Sequence, residues 1–166
     1  MKNLSLQFLQ EELKRVSDWI KLSDQKTAFL AVYYSAVAGF AVSQKEEAIS
    51  KFLSSEGWVL NLLYIDLLLI ILTFSFGMYF LFSSIFPRLN NSFTDESLFY
   101  FGTISKMKFV DFIKKLGTLS AIESKKQLVE QIYTNSLIAD RKMKRVGACI
   151  RCLFVLIFLV MIFILM

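Results

Sequence analysis

Histidine is absent from this sequence of 166 residues, and its one proline is Pro87. Without histidine, the most common general base of enzyme active sites is missing. The sequence also lacks a glycine-rich phosphate loop, a GxSxG nucleophile elbow, a set of zinc ligands and a cluster of paired carboxylates. We therefore expect a protein that is not an enzyme and that has no metal site.

Cysteine is scarce as well, and the two thiols, Cys149 and Cys152, form a CxxC motif. This spacing indicates redox or metal chemistry when it accompanies a thioredoxin-like βαβ unit or a second pair of ligands. Neither context is present here. Both thiols lie one turn apart at the start of an apolar segment, so we expect them to fill space between helices.

Apolar residues are abundant, at 55% of the chain, and they form three long segments. The longest, residues 58–86, contains 29 residues with a single formal charge, Asp66. A helix of this length would extend about 43 Å, more than the roughly 30 Å of the hydrocarbon core of a bilayer. The uncharged segment 28–43, extended by flanking residues such as Lys26, and segment 147–166 are long enough for two further spans.

The fold class that these segments predict is an all-α membrane protein with three transmembrane helices, at about 26–43, 58–86 and 147–166. We expect an amphipathic helix over 4–22, a polar connector over 44–57, and a small helical cytosolic region over 87–146. A capping box, Ser120 to Glu123, predicts the start of one long helix over 121–166 that continues into the last span. The whole chain would then form one membrane domain.

Lysine and arginine predict the orientation of these spans. Residues 87–146 contain 11 Lys/Arg and residues 1–27 contain 5, whereas the connector contains two. The positive-inside rule places the N-terminus and residues 87–146 in the cytoplasm, and the connector and C-terminus outside. Residues 1–26 lack a short apolar segment with a cleavage site, so we expect the first span to act as its own insertion signal.

Small residues recur every fourth position along the first span. They are Thr27, Ala31, Ser35, Gly39 and Ser43. Such a face allows two helix backbones to approach closely in lipid, where packing drives helix association. The contact would lie either within the chain or between copies in a homo-oligomer.

Asp66 is the residue in the spans that most suggests a function. An ionisable side chain in a membrane helix is rare and usually faces protein or water. One hypothesis is a hydrogen bond between helices, from Asp66 to Ser35 or Tyr34. The alternative is that Asp66 lines a pore or an oligomer interface. The cytosolic lysines are expected to contact lipid phosphates, and nucleic acid is not an expected partner because no stacking platform accompanies the charge.

Four short motifs occur in a fixed order relative to the predicted spans. They are Asp24-Gln25-Lys26 before the first span, Pro87-Arg88-Leu89 after the second, Tyr100-Phe101-Gly102, and QIYTNSLIADRK at 131–142, which leads into the third. In this order the chain resembles the Pycsar effector transmembrane family (PycTM) over roughly residues 10–166. Asp24, Lys26, Pro87, Arg88 and Gly102 are matching positions, to which the resemblance assigns no established role.

The resemblance implies an antiphage abortive-infection effector: a cyclase makes a cyclic nucleotide, and the effector then impairs the inner membrane. Some Pycsar effectors carry a fused cyclic-nucleotide-binding domain, whereas this sequence resembles the membrane module. Either a ligand binds the cytosolic helices directly, or a separate sensor linked to the cyclase detects it, or the trigger differs. The alternatives are a non-toxic membrane anchor or scaffold for a cytosolic partner, and a constitutive, holin-like channel.

Overall fold

A computed structural model describes residues 5–86 and 97–166. Six helices are described: α1 (Leu6–Ser43), α2 (Lys45–Ser54), α3 (Gly57–Ile85), α4 (Phe101–Ile104), α5 (Phe109–Thr118) and α6 (Ala121–Leu165). No strand occurs among the described residues. Helices α1, α3 and α6 are long and apolar enough to cross a membrane. The predicted fold class, an all-α membrane protein with three spans, is confirmed.

Two of the described helices differ from the sequence predictions. The predicted amphipathic helix and first span are one continuous helix, α1, because neither proline nor glycine separates them. The predicted polar connector contains a helix, α2, because its Lys, Glu and Ala residues are good helix formers. The turn from α2 into α3 uses Gly57, whose φ of 65° favours glycine.

Helix α6 begins and continues as the sequence predicts. The Ser120 Oγ accepts a hydrogen bond from the backbone N–H of Glu123, at 3.2 Å, which confirms the predicted N-terminal cap. The helix then runs for 45 residues into the third span. A short helix, α5, lies within the region 87–146 that the sequence predicts to be helical. Residues 87–96, where this predicted region begins, lie outside the described residues.

The chain divides into two compact units, and both α1 and α6 contribute to each. The first unit comprises the described residues 5–22 and 97–141. Its buried apolar side chains include Leu9, Leu98 and Leu128. The backbone N–H of Leu98 donates to Oε1 of Gln127 at 2.9 Å, which fixes the residues before α4 against α6.

The second unit comprises Ser23–Phe86 and Lys142–Met166 and contains the apolar parts of all three long helices. Its core consists of Leu30, Tyr34, Leu81, Val146, Cys149, Leu153 and Leu156. Below, the end of this unit that contains Asp24 and Lys142 is called the Asp24 end. The opposite end, with Lys51 and the last turn of α6, is called the Lys51 end.

At the Lys51 end, α2 is attached to the C-terminus of α6. The Lys51 ammonium donates to the backbone carbonyls of Ile164 at 2.7 Å and Phe163 at 3.2 Å. The last carbonyls of a helix have no partner within the helix and carry partial negative charge, so a cation is favourable there. The Phe52 ring contacts both Tyr64, at 5.1 Å between centroids, and Phe163, at 6.1 Å.

Candidate functional site

A polar layer joins the three long helices at the Asp24 end of the second unit. It consists of Ser23, Asp24 and Thr27 on α1, Ser83 and Ser84 on α3, and Lys142 and Arg145 on α6. In a membrane, an apolar helix surface packs about as well against lipid as against another helix. Polar contacts between helices therefore decide which helices associate. The polar layer therefore fixes which faces of the three helices meet.

An ion pair between Asp24 and Lys142 connects α1 to α6. The Lys142 side chain is 8% exposed, whereas that of Asp24 is 51% exposed. A buried ammonium is costly without a partner, so Lys142 depends on the carboxylate of Asp24. Because Asp24 is half exposed, solvent and ions can reach this pair from one side.

Hydroxyl groups connect α1 to α3 beside this ion pair. The side-chain oxygens of Thr27 and Ser84 lie 3.0 Å apart, and the Thr27 hydroxyl also lies 2.9 Å from the carbonyl of Ser23. The Ser23 side chain is fully buried, and its Oγ has no hydrogen-bond partner among the described residues. An unsatisfied buried hydroxyl costs roughly 1–3 kcal/mol, which weakens the layer at this position.

Arg145 connects α6 to the last turn of α3. Its guanidinium donates to the backbone carbonyl of Ser83, two residues before α3 ends at Ile85. Lys51 makes the equivalent contact at the end of α6. Two of the long helices are therefore capped at their C-termini by a cation from another helix.

The centre of the unit contains one close approach of three helices. The Tyr34 hydroxyl donates to the backbone carbonyl of Cys149 at 3.0 Å, and Cys149 Sγ lies 3.5 Å from the carbonyl of Gly77. Gly77 is buried, and a Cβ at this position would lie 2.0 Å from the Tyr34 hydroxyl. Glycine is therefore required where Tyr34 crosses α3. Cys149 packs in the core, and neither Cys149 nor Cys152 forms a disulfide.

Asp66 lies on the buried face of α3, together with Leu63 and Gly77. It is 7% exposed, and its Oδ2 has no hydrogen-bond partner among the described residues. The predicted bond to Ser35 or Tyr34 is wrong, because the Ser35 hydroxyl bonds to the carbonyl of Ala31 and the Tyr34 hydroxyl bonds to that of Cys149. The Ser35 bond is local within α1 and the Tyr34 bond runs to α6, so each hydroxyl donates its proton to a backbone carbonyl rather than to Asp66.

The small-residue face of α1 divides into a buried part and an exposed part. Thr27 is buried and Ala31 packs against the core, whereas Ser35, Gly39 and Ser43 are exposed. A Cβ at Gly39 would have no atom within 4 Å. The first part of the face is therefore a contact within the chain, and the second part is available for a contact with another helix.

The positions that match the family motifs have different surroundings. Asp24 forms the ion pair described above, and Lys26 is exposed. A Cβ at Gly102 would lie 2.6 Å from Cε1 of Tyr100, so glycine allows this aromatic ring to pack on α4. Pro87 and Arg88 lie outside the described residues.

Sequence reasoning did not single out Gly77 or Lys51, and it placed Lys142 in a motif without identifying its partner. Gly77 is the one glycine within the apolar run 58–86, which marks the position but not the direction in which it faces. Lys142 lies 118 residues from Asp24, and Lys51 lies 112 residues from Phe163. No local pattern connects partners at such separations.

The comparisons with known proteins agree with the resemblance drawn from the motifs. The family profile of the Pycsar effector protein domain, PycTM, matches residues 8–166. Neither a curated protein nor a solved structure matches the chain significantly. The match covers nearly the whole sequence, including all three long apolar helices. The chain therefore belongs to the Pycsar effector family and is a membrane effector of antiphage defence that is signalled by a cyclic nucleotide.

Proposed function

We propose that this protein is an abortive-infection effector of the bacterial inner membrane, which assembles into a homo-oligomer and impairs the membrane when a cyclic-nucleotide signal arrives. In this proposal the protein catalyses no reaction and binds no nucleic acid. Its partners are the lipid bilayer and further copies of itself. The family assignment supports the defence role, and the exposed part of α1 supports the assembly.

The observation that carries the assembly is the open face at Ser35, Gly39 and Ser43. Gly39 lies on the side of α1 opposite Leu30 and Tyr34, which point into the core. Without a Cβ at Gly39, the backbone of a second helix can approach this face closely and gain packing contacts. A membrane helix exposed to lipid on all sides has no comparable need for small residues.

Asp66 has a role in the same proposal. Its carboxyl group is buried without a partner for Oδ2, a cost that a rearrangement of the helices would relieve. A rearranged oligomer would place Asp66 against water or a donor on another copy. We therefore assign Asp66 to the lining of the active assembly.

The proposed orientation places the N-terminus and residues 87–146 in the cytoplasm, with the C-terminus outside. The excess of lysine and arginine in residues 87–146 supports this orientation, and the juxtamembrane cations suit the anionic lipid of the cytoplasmic leaflet. The signal would then act from the cytoplasmic side, either by binding the helices of residues 87–146 or through a separate sensor. To test this orientation, a reporter that is active only outside the cell and another that is active only inside it are each fused to the C-terminus.

The central experiment measures membrane potential in bacteria that express the full-length protein, with and without co-expressed nucleotide cyclases. We expect depolarisation only when a matching cyclase is present. Gly39→Leu should abolish both depolarisation and the oligomer detected by cross-linking in membranes. Ser75→Leu is the matched control, because it adds the same side chain at an exposed position of α3.

Different outcomes separate the proposal from its alternatives. Depolarisation without any cyclase would indicate a constitutive channel. A stable cytosolic partner, with no growth defect under any cyclase, would indicate an anchor. If Gly39→Leu and Ser75→Leu behave alike, assembly does not use this face of α1.

A further inference from the structure

An apolar groove of about 550 Å³ opens at the Lys51 end of the second unit. Its walls come from α1, α2, α3 and α6, and include Phe40, Ala48, Leu67, Ile70, Val160 and Phe163. Its volume lies within the roughly 300–1,000 Å³ that is common for ligand sites. Ile70 lies about 18 Å along α3 from Trp58, so the groove reaches well below the end of the helix bundle.

Helix α2 forms the rim of this groove and has the pattern of a helix at a membrane surface. Its apolar residues Ile49 and Leu53 are exposed, and Lys45, Glu46 and Glu47 occupy its first turn. An amphipathic helix of this kind lies at the boundary between headgroups and acyl chains. The mouth of the groove is therefore at headgroup depth, and its interior is at acyl-chain depth.

The rim carries one cation and one anion that are not paired with any described residue. Lys45 and Glu47 are both among the residues that line the groove, both are exposed, and neither forms an ion pair or hydrogen bond with a described residue. Lys51 also lines the groove, but its ammonium is already bound to the last carbonyls of α6. The free charges at the mouth are thus of opposite sign and lie two residues apart on α2.

We propose that this groove binds one phospholipid whose headgroup contains both a phosphate and a primary ammonium, as in phosphatidylethanolamine. One acyl chain occupies the apolar groove, Lys45 binds the phosphate, and Glu47 binds the ammonium. This headgroup complements both charges, whereas an anionic headgroup without an amine would complement Lys45 alone. Bound in this way, the lipid holds α2 against the ends of the three long helices. The inference does not depend on the proposed assembly or toxicity.

The test uses the full-length protein in nanodiscs that contain equal amounts of phosphatidylethanolamine and phosphatidylglycerol. Native mass spectrometry after release from the nanodisc counts the phospholipids that remain bound. We expect one retained lipid per chain, enriched about two- to five-fold in phosphatidylethanolamine, the range for an exposed ion pair. Ala48→Phe should remove it by filling the groove, whereas Ala36→Phe, at an exposed position of α1 outside the groove, should not.

Conservative variants at the rim test the headgroup assignment separately from folding. Glu47→Gln should abolish the preference for phosphatidylethanolamine, and Lys45→Gln should lower retention of both lipids. Circular dichroism confirms that each variant keeps its helical content. The proposal is overturned if wild-type protein retains no lipid, or if Ala48→Phe and Ala36→Phe retain it equally. It is also overturned if both lipids are retained without preference, or if Ala48→Phe removes a second copy of the chain instead of a lipid.

Discussion

Replacing Gly77 with alanine tests the closest contact between the long helices. The added Cβ would lie 2.0 Å from the hydroxyl oxygen of Tyr34 and 2.5 Å from Cζ of its ring. Cβ atoms essentially never approach other heavy atoms within 3.0 Å, so either the ring or α3 must move by about 1 Å.

Tyr34 has little freedom to move away. It is 2% exposed, packs edge-on against Phe74 at 5.8 Å between ring centroids, and donates its hydroxyl to Cys149. Over-packing a tight interior costs roughly 1–3 kcal/mol, and loss of the hydrogen bond adds about 1 kcal/mol. The higher helix propensity of alanine offsets about 1 kcal/mol of this. We expect Gly77→Ala to lower the free energy of unfolding by about 1–3 kcal/mol.

Gly39→Ala is the matched control, because both substitutions replace a glycine within a membrane helix. A Cβ at Gly39 meets no atom within 4 Å, so this variant should keep or slightly raise stability. The assay is reversible unfolding in detergent micelles, followed by circular dichroism. The contact itself is tested in a Tyr34→Leu background, where Gly77→Ala should cost much less than in the wild type.

Two results would refute this reasoning. Equal stability of Gly77→Ala and Gly39→Ala would mean that α3 does not approach Tyr34 closely. An unchanged cost of Gly77→Ala in the Tyr34→Leu background would mean that another neighbour causes the destabilisation.

Three further predictions concern the charged groups of the second unit. Asp24→Lys and Lys142→Asp should each lower the free energy of unfolding by roughly 1–3 kcal/mol, less than for a fully buried pair because Asp24 is half exposed. In thermal melts the double exchange should recover much of this loss, and no recovery would show that the two side chains are not paired. Lys51→Met keeps the aliphatic chain but removes the two bonds to the end of α6, so hydrogen exchange of the last α6 amides should rise. Lys51→Arg should leave the exchange unchanged, and equal exchange in the two variants would contradict the cap. Asp66→Leu removes a buried carboxyl group with an unpartnered oxygen and should raise the melting temperature of the monomer in micelles. A lower melting temperature would reveal a partner for Asp66 inside the bundle.

The helices of the second unit were predictable because their signal is local. Long apolar runs that proline does not interrupt predict spans wherever they occur, and α3 and α6 follow them closely. Helix α2 was missed because polarity was taken as evidence for a connector, although Lys, Glu and Ala favour helix regardless of burial. Likewise, the change from amphipathic to apolar pattern in α1 changes the surroundings of the helix without breaking its backbone.

The contacts within the candidate site were much less predictable, because rotation about each helix axis decides them. Gly39 and Gly77 are both glycines in apolar segments, yet Gly39 faces away from the core and Gly77 faces Tyr34. Composition does not distinguish these two positions. Asp24 and Lys142 each lie in a motif, but their pairing became apparent only when α1 and α6 were placed side by side.

The distribution of polar contacts explains which surface of the second unit stays open for the proposed contact with a second copy. In lipid, a few specific bonds decide which helices associate, since apolar side chains have equally apolar surroundings outside the bundle. These bonds join α1 to its neighbours at Asp24, Thr27 and Tyr34. Over residues 35–43, the hydrogen bonds to described residues reach no other long helix: the Ser35 and Ser43 hydroxyls bond within α1, and the Phe40 carbonyl accepts from the N–H of Gln44 just beyond it. A second copy can therefore pack against this half of α1 without breaking any bond that holds the three helices together.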